Sequence, residues 1–220
     1  MGCEPTHGTR PVAALVLAAG AGRRYGGPKA LVTLDGHLLL DRAVATARGG
    51  GCGPVLAVLG AGADAVREAA DLTGVVPVEN PDWATGLGSS LRAGLRALRD
   101  SPAVATLVLL VDMPGVTAEA VRRLVALAAP ETLAVAGYAD RRNHPVLLGR
   151  AHWDGVATLA DGDAGARLYL RRNAERVRVV PCADIADDTD LDTPADLARH
   201  RRTPVVPARS PDPSVAASGG

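Results

Sequence analysis

The first residues that could do chemistry are three cations that follow a glycine-rich turn. Two glycines and three cations come after the apolar run Val12–Ala19: Gly20, Gly22, Arg23, Arg24 and Lys29. Glycine lets backbone N–H groups approach a ligand closely, and cations neutralise phosphate oxygens. The segment therefore predicts a loop that binds a polyphosphate at the end of a buried strand. A glycine-rich strand-to-helix turn with incidental arginines is the structural alternative.

The spacing of this segment differs from that of two common phosphate loops. A dinucleotide-binding GxGxxG motif requires glycine at its sixth place, which is Tyr25 here. A P-loop requires lysine directly after its second glycine, but Pro28 follows Gly27. A phosphate loop of a third kind is therefore predicted. Lys29 is the only lysine among 24 basic residues, and its compact charge suits a phosphate that moves during reaction better than a planar guanidinium does.

The second candidate for chemistry is Asp112, which directly follows the most hydrophobic run of the chain, Val104–Val111. That run predicts a central strand, and parallel sheets bind ligands beyond the carboxyl ends of their strands. Magnesium is usually bound in such sites by one or two carboxylates together with substrate phosphates. Asp112 is therefore predicted to bind Mg²⁺. Capping of the next helix is the alternative role, but Thr117 is better placed for it.

Three further segments carry polar residues that could complete a site. Residues 79–90 read ENPDWATGLGSS before a predicted helix, and Ser90 could either cap that helix or contact a nucleotide. His144 ends a polar turn, 139–144, and a surface position is its plainer interpretation. The stretch Asp184–Asp192 holds five aspartates, and charge runs of this kind are usually solvated.

Strands and helices alternate along the chain, and this order must position the polar residues. The predicted strands are Val12–Ala19, Val55–Leu59, Val75–Val78, Val104–Val111, Leu133–Tyr138, Pro145–Leu148 and Val177–Val180. The predicted helices are Leu38–Arg48, Ala63–Leu72, Leu91–Arg99, Thr117–Ala129, one that follows the turn 161–167, and one from Thr193-Pro194 to His200. The alternation predicts an α/β fold with a Rossmann-like, doubly wound, mostly parallel sheet. A hairpin around the polar turn would make one strand antiparallel.

Bulk properties narrow the class of protein. The 220 residues fit one domain, and the 24 acidic residues balance the 24 basic ones, so no nucleic-acid surface is indicated. The three cysteines form no CxxC pair, which favours a reducing, cytoplasmic compartment over a disulfide framework or a zinc site. No apolar run approaches the length of a membrane-spanning helix. Residues 1–10 are predicted to be a flexible lead-in, residues 11–202 the single domain and residues 203–220 a disordered tail.

Several motifs of the chain together resemble one family. The stretch LAAGAGRRYGGPKAL, which begins at Leu17, resembles the signature of the MobA-like nucleotidyltransferases, a branch of the nucleotide-diphospho-sugar transferase fold. The likeness continues through WATGLGSSLRAGL, LVDMPG, NHPVLLGR, GDAGAR and DLDTPADL. Within the family, the chain is most similar to the molybdenum cofactor cytidylyltransferases. The resemblance implies a Mg²⁺-dependent enzyme that transfers CMP from CTP to the phosphate of molybdopterin and releases pyrophosphate.

The resemblance also implies roles for particular residues. Arg24 and Lys29 are expected to be catalytic, because they would neutralise charge on the α-phosphate and the leaving pyrophosphate. Asp112 and Asp192 are expected to hold the metal, with Asp190 as the alternative second ligand because related proteins carry Asn at the position of Asp192. Contacts with the nucleotide are expected from these residues: Leu17, Ala18, Ala19, Gly20, Gly22, Arg23, Lys29, Glu79 and Ser90.

The choice of nucleobase and acceptor rests on fewer residues. Guanylyltransferase relatives carry Gly at the position of Ala19, and the added methyl group trims the base pocket in favour of cytosine. His144 is expected near the acceptor, and transient docking to a molybdoenzyme or its chaperone is implied. Neither nucleic acid nor a membrane is expected as a partner. Three alternatives stay open: a GTP-using member of the same family, a nicotine blue oxidoreductase-like flavin reductase, and a nucleotide-binding regulator without catalysis.

Overall fold

The structure, a computed structural model, describes residues 11–200, and the predictions for residues 1–10 and 203–220 lie outside that range. Its strands are β1 (Val12–Ala18), β2 (Thr33–Leu34), β3 (His37–Leu38), β4 (Val55–Leu59), β5 (Val75–Glu79), β6 (Ala105–Leu110), β7 (Leu133–Tyr138), β8 (Arg141–Gly149) and β9 (Val177–Pro181). Its α-helices are α1 (Leu39–Gly49), α2 (Ala63–Ala69), α3 (Leu87–Ala97), α4 (Ala118–Val125), α5 (Trp153–Leu159), α6 (Arg167–Arg172) and α7 (Pro194–His200).

Seven of these strands form one sheet in the order β5-β4-β1-β6-β8-β7-β9. Strand β1 pairs in parallel with both β4 and β6, and β4 pairs in parallel with β5. Strand β8 is antiparallel to both β6 and β7, whereas β7 and β9 are parallel. The sheet is therefore mostly parallel with one antiparallel strand, as the sequence predicts. Strand β6 is the fourth of the seven strands, so its predicted central position is also confirmed.

Helices cover both faces of the sheet because successive side chains of a buried strand point to opposite sides. In β1, Val12, Ala14, Val16 and Ala18 join one core cluster, and Ala13, Leu15 and Leu17 join the other. Helices α1 and α4 pack on the first face through residues such as Leu40 and Val121. Helices α3 and α5 pack on the second face through residues such as Leu91 and Val156. This three-layer arrangement accounts for the uninterrupted apolar runs of β1 and β6.

Several predicted boundaries are wrong for local reasons. Helix α2 ends at Ala69 rather than Leu72, because Ala70 is extended and the Asp71 carboxylate accepts a hydrogen bond from the Thr73 N–H at 3.0 Å. Helix α4 ends at Val125 rather than Ala129 and gives way to tight turns before Pro130. The predicted cap of α4 is correct, since the Thr117 hydroxyl accepts a hydrogen bond from the Ala120 N–H at 3.2 Å.

The polar turn 139–144 is shorter than predicted. Only Ala139 and Asp140 form the turn, and Arg141–His144 continue strand β8, with Arg141 opposite Tyr138. Ala139 takes the left-handed conformation that such a tight connection needs, with a φ of 54°. The predicted hairpin is therefore confirmed, although the polar residues were assigned to its turn rather than to its strand. None of the helices within residues 11–200 has the length and apolar character that crossing a membrane requires.

Candidate active site

A cavity of about 670 Å³ opens beyond the carboxyl ends of β1 and β6. The chain reverses direction across the sheet between these strands, since β4 and β5 lie on one side of β1 and β6 lies on the other. Ligands of doubly wound sheets bind at such a crevice. Most of the predicted site residues line this cavity: Leu17, Ala19, Gly20, Gly22, Arg23, Arg24, Lys29, Ser90, Asp112 and Asp192.

The loop between β1 and Lys29 is shaped by its glycines. Gly22 has a φ of +57°, and its carbonyl oxygen accepts hydrogen bonds from the N–H groups of Tyr25, Gly26 and Gly27 at 2.8–3.3 Å. A side chain at Gly22 would collide with the carbonyl group of Gly27. At Gly20 a side chain would meet no protein atom within 4 Å and would extend into open space. Gly22 thus allows the loop to close on itself, and Gly20 leaves room beside the backbone for a ligand.

Lys29 joins the two predicted metal ligands. Its ammonium nitrogen lies 2.7 Å from an oxygen of Asp112 and 2.5 Å from an oxygen of Asp192. The Lys29 and Asp112 side chains are only 15% and 22% exposed. Arg24 is exposed and donates a hydrogen bond to the other oxygen of Asp192 at 3.1 Å. Residues far apart in the chain therefore form one charged cluster at the cavity wall.

The segment that carries Asp192 is tied to the end of β6 by the backbone. The N–H of Leu191 donates to the carbonyl oxygen of Asp112 at 2.8 Å, and the N–H of Asp187 donates to that of Gly115 at 3.0 Å. The buried carboxylate of Asp188 accepts hydrogen bonds from Arg141 at 2.6 Å and from Asn143 at 3.2 Å. The aspartate run is thus partly a buried structural element, and the prediction of a solvated charge run holds only for some of its members.

The charges of the cluster shift several pKa values. Burial by itself would lower the pKa of Lys29, but the attraction and hydrogen bonds of Asp112 and Asp192 outweigh it and raise that pKa. The hydrogen bond from Lys29 lowers the pKa of Asp192. Desolvation, with repulsion from Asp112 and Asp192, raises the pKa of Asp190 to about 6. The Lys29 ammonium group thus lies between the carboxylates of Asp112 and Asp192.

The donor set of the cluster fits a divalent cation of the magnesium type. Asp112 and Asp192 both approach the Lys29 ammonium nitrogen, so two carboxylates converge on one point of the cavity wall. Residues 11–200 contain no group of three or more His, Cys, Asp or Glu side chains arranged around a metal site. Two carboxylates are nevertheless what Mg²⁺ uses when substrate phosphates supply further oxygens. Asp192 lines the cavity, whereas Asp190 does not, which favours Asp192 as the second ligand.

The serines before α3 do not cap the helix in the predicted way. Helix α3 begins at Leu87, four residues earlier than predicted, so Ser89 and Ser90 lie in its first turn and are buried. The Ser89 hydroxyl donates to the carbonyl oxygens of Gly86 and Asp82, at 2.8 and 3.0 Å. The amide of the buried Asn80 donates to both serine hydroxyls, at 2.9 and 3.0 Å. Asn80 therefore holds Ser90 in place in the cavity wall.

Three predicted site residues lie elsewhere. The Ala18 side chain packs in the core on the α1 face, because Ala18 alternates with the cavity-lining Leu17 and Ala19. Glu79 points away from the cavity lining, and its exposed carboxylate accepts a hydrogen bond from Arg67 at 2.9 Å. His144 is half-buried on β8 and does not line the cavity, so the expectation of a surface histidine holds only in part. Burial lowers its pKa to about 4 against the attraction of the Asp112 carboxylate.

Several cavity-lining residues were not predicted as site residues, and two of them carry polar or aromatic side chains, Trp83 and Asp163. Trp83 is half-buried in the turn before α3, and Asp163 is exposed in the loop between α5 and α6. Both lie in motifs that carried the family resemblance, WATGLGSSLRAGL and GDAGAR. A further signal was present for Trp83, since the chain contains only two tryptophans. No local signal places Asp163 beside α3, because some seventy residues separate the two segments in the chain.

Comparisons with known proteins agree with this architecture. A family model described as the MobA-like NTP transferase domain matches residues 14–179. Nicotine blue oxidoreductase of Paenarthrobacter nicotinovorans is 39% identical over 196 residues, which cover 86% of this chain and 95% of that protein. Molybdenum cofactor guanylyltransferase of Acidiphilium cryptum is 34% identical over 189 residues, covering 84% of this chain and 91% of that protein.

A solved structure shows the same likeness in three dimensions. The crystal structure of Rv0371c from Mycobacterium tuberculosis H37Rv has a TM-score of 0.76 at 29% identity, covering 88% of this chain and 98% of that one. A structure of the same protein in complex with manganese has a TM-score of 0.69 at 28% identity, with the same coverage.

Fold and site together define the class of this protein. The parallel sheet with one antiparallel strand and a crevice at the ends of β1 and β6 is the nucleotide-diphospho-sugar transferase fold of nucleotidyltransferases. Within that class, the chain belongs to the MobA-like NTP transferase family. The predicted family is therefore confirmed.

Proposed function

We propose that the protein transfers CMP from CTP to the phosphate of a molybdopterin-type acceptor and releases pyrophosphate. The observation that supports the proposal best is the cluster of Lys29, Asp112 and Asp192 beside the glycine-rich loop. A triphosphate needs backbone donors, neutralising cations and a metal-binding carboxylate within a few ångströms of one another. This cavity wall brings all three together.

The groups of the chain would act mainly by positioning and by stabilising charge. The backbone at Gly20 and Gly22 would bind the phosphates, and Lys29 would neutralise the charge that develops around the α-phosphate. Arg24 is exposed and, among residues 11–200, pairs with Asp192, so it would be available to neutralise the leaving pyrophosphate. The acceptor phosphate is already anionic at neutral pH, so its attack on the α-phosphate needs no general base. The α-phosphate bond to the β-phosphate breaks as the new bond forms.

Asp112 and Asp192 are the residues that would hold Mg²⁺. When bound there, the ion would supply Lewis-acid stabilisation and orientation of the donor and acceptor phosphates. The manganese complex of the related Rv0371c protein supports a divalent-metal site in the family. The prediction of magnesium in this chain stays a proposal.

The choice of CTP rests on Ala19. Ala19 and Trp83 flank the same residue, Gly60. A Cβ atom built on Gly60 would lie 2.8 Å from the Ala19 Cβ and 2.5 Å from the Trp83 Cβ, so the Ala19 methyl group lies near Trp83. A methyl group at this point narrows the cavity beside the proposed base position, which favours the smaller cytosine.

The partner and the compartment are proposed from the acceptor and the cysteines. If the acceptor is molybdopterin, the protein would dock transiently to a molybdoenzyme or its chaperone to deliver the product. The free, buried cysteines Cys52 and Cys182 are consistent with a reducing compartment such as the cytoplasm.

A flavin-dependent reductase is the second candidate, because the nicotine blue oxidoreductase is 39% identical over almost its whole length. The phosphate loop could bind the phosphate of a flavin nucleotide as well as a triphosphate. The cluster of Lys29 with two carboxylates favours a metal-bound polyphosphate instead. Bound flavin would colour the purified protein yellow, and pyrophosphate formation would not occur.

The deciding experiment is a product analysis. Purified protein is incubated with Mg²⁺, the molybdopterin-type acceptor and either CTP or GTP, and pyrophosphate and the mass of the nucleotide product are measured. We expect a cytidine dinucleotide and one pyrophosphate per product, with CTP preferred over GTP. A guanosine product would show that the nucleotide substrate is GTP rather than CTP, and the reaction would still be nucleotidyl transfer. A yellow protein that releases no pyrophosphate from either nucleotide would establish the reductase alternative.

A further inference from the structure

One charged group in the cavity wall takes no part in the proposed transfer, namely the carboxylate of Asp163. It lies on a single 3-10 turn, Gly162–Ala164, between α5 and α6 and lines the cavity. Within residues 11–200, no hydrogen bond or ion pair of this carboxylate is found. The cavity carboxylates of Asp112 and Asp192, by contrast, are both bonded to Lys29.

The position of Asp163 is fixed by close packing of its loop against the start of α3. A Cβ atom at Gly86 would lie 2.5 Å from the carbonyl carbon of Gly162 and 2.9 Å from a carboxylate oxygen of Asp163. At Gly88 it would lie 2.7 Å from the backbone of Ala160 and Asp161. The two backbones therefore touch because the helix start lacks side chains there. Asp163 is held beside this helix start by that contact rather than by a polar bond of its own.

Asp163 shares this part of the wall with Trp83. The N–H of Gly86 donates to the carbonyl oxygen of Trp83 at 3.2 Å, so the tryptophan turn and the Asp163 loop meet at one residue. Trp83 in turn lies beside Ala19, where the heterocycle of a nucleotide is proposed to bind. A carboxyl side chain is poorly matched to phosphate oxygens, so Asp163 is better suited to hydrogen-bond donors of a bound molecule. A flat heterocycle could supply these donors while its ring lies against the indole.

We propose that Asp163 binds the 2-amino-4-oxo edge of a heterocycle, with Trp83 against the ring. The two oxygens of a carboxylate accept a pair of parallel N–H bonds, and this edge offers a ring N–H next to an exocyclic amino group. Cytosine has no such pair, since its amino group adjoins a ring nitrogen that is an acceptor. The edge is shared by pterins and by guanine, so the ligand is either the pterin of the acceptor or the base of GTP. The inference deepens the proposed function by naming what one wall of its cavity recognises.

The test is equilibrium binding, which does not depend on turnover. A phosphate-free pterin, GTP with Mg²⁺ and CTP with Mg²⁺ are titrated into the wild type, Asp163→Asn and Asp163→Ala. Loss of a charged pair of hydrogen bonds should weaken binding of the ligand that carries the 2-amino-4-oxo edge by about 10- to 100-fold. Affinity for CTP should be unchanged or slightly higher, because one negative charge leaves a cavity that binds phosphates. The matched control is Asp161→Asn, which alters an exposed acid of the same loop outside the cavity lining and should change nothing.

The outcomes separate the two sources of the edge. Weaker pterin binding with unchanged GTP binding assigns the edge to the acceptor. Weaker GTP binding with no effect on pterin assigns it to a guanine nucleotide and replaces CTP in the proposed function. The proposal is overturned if the Asp163 variants bind both pterin and GTP as tightly as the wild type does. It is also overturned if the wild type binds neither ligand, or if CTP binding falls by the same factor. Absence of CMP transfer in the product analysis would overturn the proposed function while leaving these titrations valid.

A second pair of variants tests the ring contact independently. Trp83→Phe keeps an aromatic face and should retain most of the affinity for the ligand identified with Asp163. Trp83→Ala should lower the affinity for that ligand about tenfold, as expected for removal of one stacking partner. Equal affinity in the wild type and Trp83→Ala would refute the stacking part of the proposal. Circular dichroism of each variant checks that the fold is retained.

Discussion

The ammonium nitrogen of Lys29 lies 2.7 Å from a carboxylate oxygen of Asp112, although the two residues are 83 positions apart in the chain. Lys29 follows the glycine-rich loop after β1, and Asp112 follows β6. The adjacent parallel pairing of β1 and β6, with Leu17 opposite Leu110, delivers both residues to the same edge of the sheet. The salt bridge thus joins the phosphate-binding and metal-binding halves of the proposed site.

The first prediction concerns the charge of Lys29. Lys29→Ala should weaken binding of the triphosphate by about 10- to 100-fold and slow transfer, because a charge-assisted hydrogen bond is lost. Lys29→Arg should restore only part of the activity, since a planar fork cannot occupy the place of a compact ammonium between Asp112 and Asp192. Isothermal titration with CTP and pyrophosphate release measure the two effects. Wild-type turnover in Lys29→Ala would show that the phosphates bind elsewhere.

The second prediction concerns the metal ligands. Asp112→Asn keeps the shape of the side chain but removes its charge, and it should lower turnover by about two orders of magnitude. Asp192→Asn should be milder, because its carboxylate is more exposed and is shared with Arg24. Both are measured as pyrophosphate release over a Mg²⁺ titration, with circular dichroism as the control for folding. A folded Asp112→Asn variant that is fully active at low Mg²⁺ would exclude Asp112 as a ligand.

The third prediction separates the two glycines of the phosphate loop. Gly22→Ala should lower the free energy of unfolding by about 1–3 kcal/mol, because the residue has a positive φ and its side chain would meet the Gly27 carbonyl group. Gly20→Ala should leave stability unchanged, since its side chain would meet open space, yet it should weaken CTP binding. Urea denaturation and nucleotide titration of both variants test the pair. Full CTP affinity in Gly20→Ala would remove this loop from the binding site.

The fourth prediction concerns pH and His144. Burial lowers the pKa of His144 to about 4, so the unfolded chain binds more protons than the folded protein between about pH 6.5 and pH 4. Stability should therefore fall as the pH drops through that window, by about 1–3 kcal/mol more than in His144→Gln. Urea denaturation at a series of pH values measures the difference. His37→Gln, at an exposed histidine, is the control and should follow the wild type. Parallel curves for wild type and His144→Gln would contradict the buried neutral imidazole.

Local patterns in the sequence were sufficient for most of the framework. The apolar run before Gly20 is buried throughout in β1, and Thr117 caps α4 as predicted. These features depend on near neighbours in the chain, namely alternating burial in a strand and a hydroxyl that accepts an N–H three residues ahead. The position of Asp112 at a strand end follows from the same kind of information. The alternation of strands and helices then restricts the topology to a doubly wound sheet.

Other features were decided by contacts between distant segments. Ser89 and Ser90 were predicted to precede α3, but Asn80 and the carbonyl oxygen of Asp82 hold them within its first buried turn. Glu79 pairs with Arg67 of α2 instead of reaching the cavity, and His144 is half-buried on β8 outside the cavity lining. None of these outcomes follows from the types of neighbouring residues in the chain.

By itself, the sequence determined the strands, the glycine-rich loop and the strand end that carries Asp112, because each depends on residues close together in the chain. Only the tertiary structure decided that Lys29 bridges Asp112 and Asp192, that Asp188 is buried beneath Arg141, and that Asp163 joins the cavity beside Gly86. Distances of a few ångströms between such residues are set by strand order and by the packing of loops across the sheet edge. Those arrangements arise from the burial of the whole core, which no short stretch of the chain encodes.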